Sequence, residues 1–136
     1  YISSPEFDNQ IHGTLQRLAQ IRSIHGHNMS HVIWRSSHAA TRPCYSTEQK
    51  PLSPDNPLVP PNTTLSKRQT QMWWDKMKEQ NEVAKAAIED IGGHYLDVYT
   101  MSSLRVDARQ PDCLHMCTPG PIDDWNFMLW KLLVSL

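Results

Sequence analysis

The chain has 136 residues, enough for one hydrophobic core and too few to expect two. Its net charge of -1 balances 13 Lys and Arg against 14 Asp and Glu, which argues against a nucleic-acid binder. It holds no apolar run of the about 18 residues a membrane span needs, so an anchor would have to come from sequence upstream of Tyr1.

Asp8 is placed to cap a first helix whose apolar stripe is Ile11, Leu15, Leu18, Ile21 and Ile24. Gly13 weakens that helix and Gly26 closes it. His31-Val32-Ile33-Trp34-Arg35 then reads as a short buried strand. His25, His27, His31 and His38 are irregularly spaced near a loop and read as solvated.

Residues Thr41 to Pro61 hold six prolines in twenty-one positions, so they form a long surface loop, either flanking the substrate or disordered. Thr64 or Ser66 opens a long helix through Met72, Trp73, Met77, Val83, Ala84, Ala87, Ile88 and Ile91, which stops at Gly92-Gly93. His94 to Tyr99 is the second strand. Asp123 or Asp124 caps a last amphipathic helix, whose apolar end from Phe127 to Leu136 is interrupted by Lys131. A helix and strand followed by another such pair is the rhythm of an α/β sheet, in which ligands gather at the carboxyl ends of strands.

The most informative run is Pro111-Asp112-Cys113-Leu114-His115-Met116-Cys117-Thr118-Pro119-Gly120, with Asp124-Trp125-Asn126 after it. A carboxylate against one ring nitrogen of a histidine fixes its tautomer and leaves the other nitrogen to take a proton from a nucleophile. Asp112-x-x-His115 therefore offers a base and its orienting acid. Neither a Gly-Asp-Ser nor a Gly-x-Ser-x-Gly occurs to supply the serine. Cys113, His115 and Cys117 are also zinc-ligand types, but no second paired cluster accompanies them, so no metal site and no cofactor are expected.

Arg105-Val106-Asp107-Ala108, the Asp112 to Gly120 run and Asp124-Trp125-Asn126 resemble the C-terminal signature of the PC-esterase and trichome-birefringence-like family. The likeness is dense over residues 105–126 and looser around Gln80-Asn81-Glu82-Val83 and Val32-Ile33-Trp34-Arg35. It implies the C-terminal portion of an SGNH-hydrolase-like three-layer fold with a mainly parallel sheet, all 136 residues belonging to one domain. It also implies acyl transfer to or from carbohydrate by double displacement, as a polysaccharide O-acetyltransferase or acetyl esterase. His115 would be the general base and Asp112 its partner, with a carbohydrate acceptor and an acyl donor as ligands. By the same resemblance Cys44 pairs with Cys113, which leaves Cys117 without a mate in the chain. The family commonly has His where Arg109 stands and Trp where Met116 stands, departures that bear on substrate preference.

Other readings stand beside this one. An inactive relative would keep the fold as a glycan-binding or structural module. Trp73 either stacks on a sugar or packs in the core, and Arg35 either faces an anionic substrate or holds a carboxylate. Trp125 packs the last helix under the motif loop, and Arg105 and Asp107 brace that loop. Asn28 and Asn62 head glycosylation acceptor triplets. With the flanking cysteines they place the chain in the secretory pathway, in the Golgi lumen or outside the cell. Tyr1-Ile2-Ser3-Ser4-Pro5 reads like the middle of a longer protein, whose missing half would carry the serine.

Overall fold

The computed structural model describes residues 4–26, 31–40, 51, 53–55, 76–110 and 114–136. Of the expected proline-rich loop, Pro54 and Asp55 form an exposed turn. Pro51 and Ser53 beside it are exposed, and the other residues of that loop and the start of the second long helix lie outside the described residues.

Helix α1 spans Ser4–His25. It starts before Asp8, which is therefore not its cap; Pro5 falls in the first turn, where a backbone N–H has no intrahelical acceptor. Ile11 and Leu15 are buried, with Phe7 and Leu18 packed beside them. Ile21 and Ile24 continue the stripe in sequence but stay 43% and 68% exposed. In this last part of α1 the link to the rest of the chain is polar: Arg22 Nη1 donates to the carbonyls of Ile91 and Gly92 at 3.3 and 3.0 Å.

Strand β1 (Ile33–Arg35) is shorter than expected and pairs in parallel with β2 (His94–Leu96). The register sets Ile33 against His94, Trp34 against Tyr95 and Arg35 against Leu96. Side chains alternate across a strand, so Val32, Trp34 and Tyr95 share one face. That face meets the core made by Ile11 and Leu15 of α1 with Ala84, Ala87 and Ile88 of helix α2 (Met77–Asp90).

The two glycines that stop α2 have separate physical jobs. Gly92 sits at φ +67°, where a side chain would be strained, and its N–H reaches Glu89 O at 2.9 Å. Gly93 donates to Ile88 O at 2.9 Å and lies so close under Ile88 that an added Cβ would fall 2.6 Å from Cδ1. The turn therefore delivers the chain straight from α2 into β2.

β2 ends at Leu96, not at Tyr99. The Asp97 carboxylate accepts the Thr100 N–H at 3.0 Å and its hydroxyl at 2.6 Å. Ser36 Oγ accepts the N–H groups of Val98 and Tyr99 at 2.9 and 3.0 Å. These acceptors satisfy the first free donors of a short helix, α3 (Tyr99–Leu104), that sequence periodicity did not announce. A single 3-10 turn, Val106–Ala108, follows.

The last helix, α4, runs Pro121–Ser135 and begins before Asp123. Gly120 precedes it, and Pro121 fits the first position because its missing N–H would have had no partner there. Asp123 caps from inside the first turn: its Oδ2 accepts the Gly120 N–H at 2.8 Å, and its own N–H donates to Gly120 O at 2.9 Å. Beyond Trp125, α4 leaves Phe127, Trp130, Leu133 and Val134 exposed.

The architecture is α/β, with a parallel strand pair and helices packed against it. Among the described residues no helix is long and apolar enough to cross a membrane.

Candidate active site

Between the 3-10 turn and α4, the described residues on either side of positions 111–113 are held together. Arg109 and Met116 face each other in an antiparallel bridge. The Gln110 N–H donates to His115 O at 2.8 Å, and the Cys117 N–H to Ala108 O at 2.7 Å. Met116 is buried, while His115 is exposed at the edge of the loop. The expected base is thus presented to solvent from a backbone fixed on both sides. Asp112 and Cys113 lie outside the described residues, as do Cys44, Trp73, Asn28 and Asn62. Cys117 is a half-buried free thiol.

Beneath the loop lies Arg109, a guanidinium with no solvent exposure. Its Nη2 donates to Ser102 O at 2.9 Å and its Nη1 to Leu114 O at 3.4 Å. Burial lowers its pKa to about 10, against a smaller raising influence from Tyr99. The cation is still protonated at neutral pH, so Arg109 acts here as a multi-donor strut.

The segment after β1 reaches the same loop. Ser36 N–H donates to Leu96 O at 3.0 Å, which prolongs the strand pairing by one step. Asn81 of α2 clasps Ser37 through both amide atoms, accepting its N–H and donating to its carbonyl, each at 2.9 Å. Ser102 Oγ accepts the Ala39 N–H at 2.9 Å. Between these anchors His38 Nε2 donates to Leu114 O at 2.9 Å.

His38 is half-buried, in contrast to the solvated position expected for it. Burial is the chief cause that holds its pKa below the ordinary 6.5; the Leu114 hydrogen bond opposes the shift, and Arg109, Arg35 and His115 add to it. Only the fold could reveal this role, because the partner is 76 residues away.

Trp125, in the first turns of α4, joins the two segments. Its ring lies 5.3 Å from the His38 ring and 5.4 Å from the Arg35 guanidinium carbon. Arg35 is exposed, and its Nη1 donates to Ser36 O at 2.9 Å. The indole Nε1 is buried, with no hydrogen-bond partner among the described residues.

Arg105 grips Asp107 in a forked pair, Nε to Oδ1 at 3.0 Å and Nη2 to Oδ2 at 3.1 Å, and reaches Asp124 at 3.5 Å. The Arg-Val-Asp-Ala and Asp-Trp-Asn stretches are therefore tied to each other across the base of the loop. Among the described residues no three His, Cys, Asp or Glu side chains come together as metal ligands.

Comparison with known proteins finds partial similarity to plant proteins. The chain is 35% identical to xyloglucan O-acetyltransferase 1 of Arabidopsis thaliana over 43% of its length, which spans 18% of that protein. It is 55% identical to protein trichome birefringence-like 18 of the same plant over 20% of its length, 5% of that protein. The similarity is partial. No family model matches the chain, and no solved structure matches it.

Proposed function

We propose that the chain carries the base and orienting acid of a serine-dependent acyl-transfer site for carbohydrate, within a longer SGNH-like domain. The exposed His115 imidazole, on a loop closed by the Arg109–Met116 bridge, is the observation that supports this reading. The partial similarity to an O-acetyltransferase supports the substrate class.

In this mechanism Asp112 accepts a hydrogen bond from one ring nitrogen of His115 and fixes the tautomer. The other nitrogen takes the proton of a serine hydroxyl supplied from outside these 136 residues. The serine oxygen attacks the acyl carbonyl, and the donor's leaving oxygen departs with the proton held by His115. A sugar hydroxyl then gives its proton to His115 and attacks the acyl-serine carbonyl. The ester bond to serine breaks, and His115 returns the proton to the departing serine oxygen, which restores the free hydroxyl and the neutral base. Water in place of the sugar makes the same site an esterase. Arg35 and Trp73 are the proposed substrate contacts.

Replacing His115 by Ala in the whole protein should abolish labelling of the serine by an activated acetyl donor. Undiminished labelling would remove the base assignment. A whole-protein sequence that has another residue in place of the Gly-Asp-Ser serine would favour the inactive glycan-binding module.

The same reading puts the protein in the Golgi lumen or outside the cell, with glycans at Asn28 and Asn62 and a Cys44–Cys113 disulfide. Non-reducing peptide mapping should recover the linked peptides; both cysteines as free thiols would overturn the pairing.

A further inference from the structure

The carbonyl of Leu114 belongs to the peptide bond that enters His115. Two side chains from different parts of the fold converge on it, His38 Nε2 at 2.9 Å and Arg109 Nη1 at 3.4 Å. The shorter bond comes from the distant segment, which is itself pinned at Ser36, Ser37 and Ala39. The His38 ring is also packed against Trp125, so it has little freedom to follow the loop if the loop moves. A donor this constrained sets the orientation of the peptide plane it binds, and that plane sets the direction in which the next side chain leaves the backbone.

We propose that His38 is a positioning residue for His115: its Nε2–H···O bond to Leu114 aims the His115 imidazole towards the reacting serine. The proposal rests on the reading of His115 as the general base. Catalytic geometry is unforgiving at this scale, since a displacement of about 1 Å can cost about 100-fold in rate. The hydrogen bond needs an N–H at one place, and it does not need an imidazole. The proposal therefore separates a donor requirement from a packing requirement.

The test uses the whole protein carrying His38→Ala or His38→Gln. Three quantities are measured: the thermal midpoint, kcat and KM for an activated acetyl ester, and the NMR titration of the His115 ring. His38→Ala should lower kcat about tenfold with KM unchanged within about twofold, and should displace the His115 titration curve. His38→Gln, whose side-chain amide can donate to Leu114, should recover most of kcat and return the curve to that of the unaltered protein. If His38→Ala does not fold, His38→Asn, with its shorter amide, replaces it.

Unchanged kcat and an unchanged His115 titration in the folded Ala or Asn variant would overturn the proposal. So would a Gln variant no better than either. If His115→Ala kept its activity, the base assignment would fail, and the NMR comparison would still decide whether His38 sets the state of His115.

Discussion

Asn81 and Ser37 hold each other by two hydrogen bonds of 2.9 Å, one in each direction between an α2 side chain and the backbone just past β1. An amide side chain here does what a neighbouring strand would otherwise do, satisfying both polar groups of one peptide residue. Asn81→Ala should destabilise the protein by about 2 kcal/mol, because both backbone groups lose their partner. Asn81→Asp should also destabilise, since a carboxylate cannot donate to the Ser37 carbonyl. Urea denaturation checks both; a change under about 0.5 kcal/mol for Asn81→Ala would show that water replaces the amide.

Ser36 is buried without measurable exposure, and its hydroxyl accepts from two consecutive backbone N–H groups. Ser36→Ala should cost about 2 kcal/mol, at the upper end of an ordinary cap, because one orphaned donor, the Val98 N–H, is buried and the other, at Tyr99, is partly so. Hydrogen exchange at Val98 and Tyr99 should accelerate in the variant, while exchange in α1 should change much less.

The Arg105–Asp107 pair has side chains 28% and 22% exposed. At that exposure a forked ion pair contributes modestly to stability, and a double-mutant cycle with Arg105→Ala and Asp107→Ala should return a coupling of about 1 kcal/mol or less. The coupling should shrink in high salt.

Much of the fold is legible in the sequence. Gly26 and the Gly92-Gly93 pair end their helices where expected, because a helix stop is a local event that glycine satisfies locally. The alternation of helix and strand points to an α/β arrangement, because each element's pattern is read locally. That strands this far apart in the chain pair in parallel is implied only by the family resemblance. Helix α3 is not legible by periodicity, since six residues are less than two turns. Its available signal is Asp97 three residues before Thr100. The loop that bears His115 is legible from its residue types, whereas His38 is not. A histidine shows no mark in sequence of whether its partner is water or a carbonyl 76 residues away.

His38 also predicts a pH dependence. Its folded pKa is held below the ordinary 6.5, so the folded state binds a proton less readily than the unfolded one. The contribution of neutral His38 is fully present above the unfolded value and is lost as pH falls through the lowered folded value. Denaturation at about pH 7.5 and about pH 5 should therefore show a larger acid loss for the unaltered protein than for His38→Gln, which has no such group to titrate. Equal losses would mean that the unfolded state titrates in the same range.

Gly93→Ala should destabilise by about 1 to 3 kcal/mol, because the new methyl meets Ile88 and one of the two must move. Ile88→Val removes only Cδ1 and leaves Cγ1 at 2.7 Å and the Ile88 carbonyl at 3.0 Å, so adding it should recover little of that loss. A full recovery in thermal melts would place the strain at Cδ1 alone.

The parallel pairing of β1 with β2 makes chain length near either strand a fixed quantity. A residue added between Arg35 and Ala39 would draw Ser36, Ser37 and His38 off the groups that hold them, at Leu96, Asn81 and Leu114. A single residue added between Gly93 and Leu96 is different in kind, because it moves the paired side chains to opposite faces and turns Tyr95 away from Trp34. The same one-residue event thus costs individual anchors just past β1 and the identity of a whole face within β2.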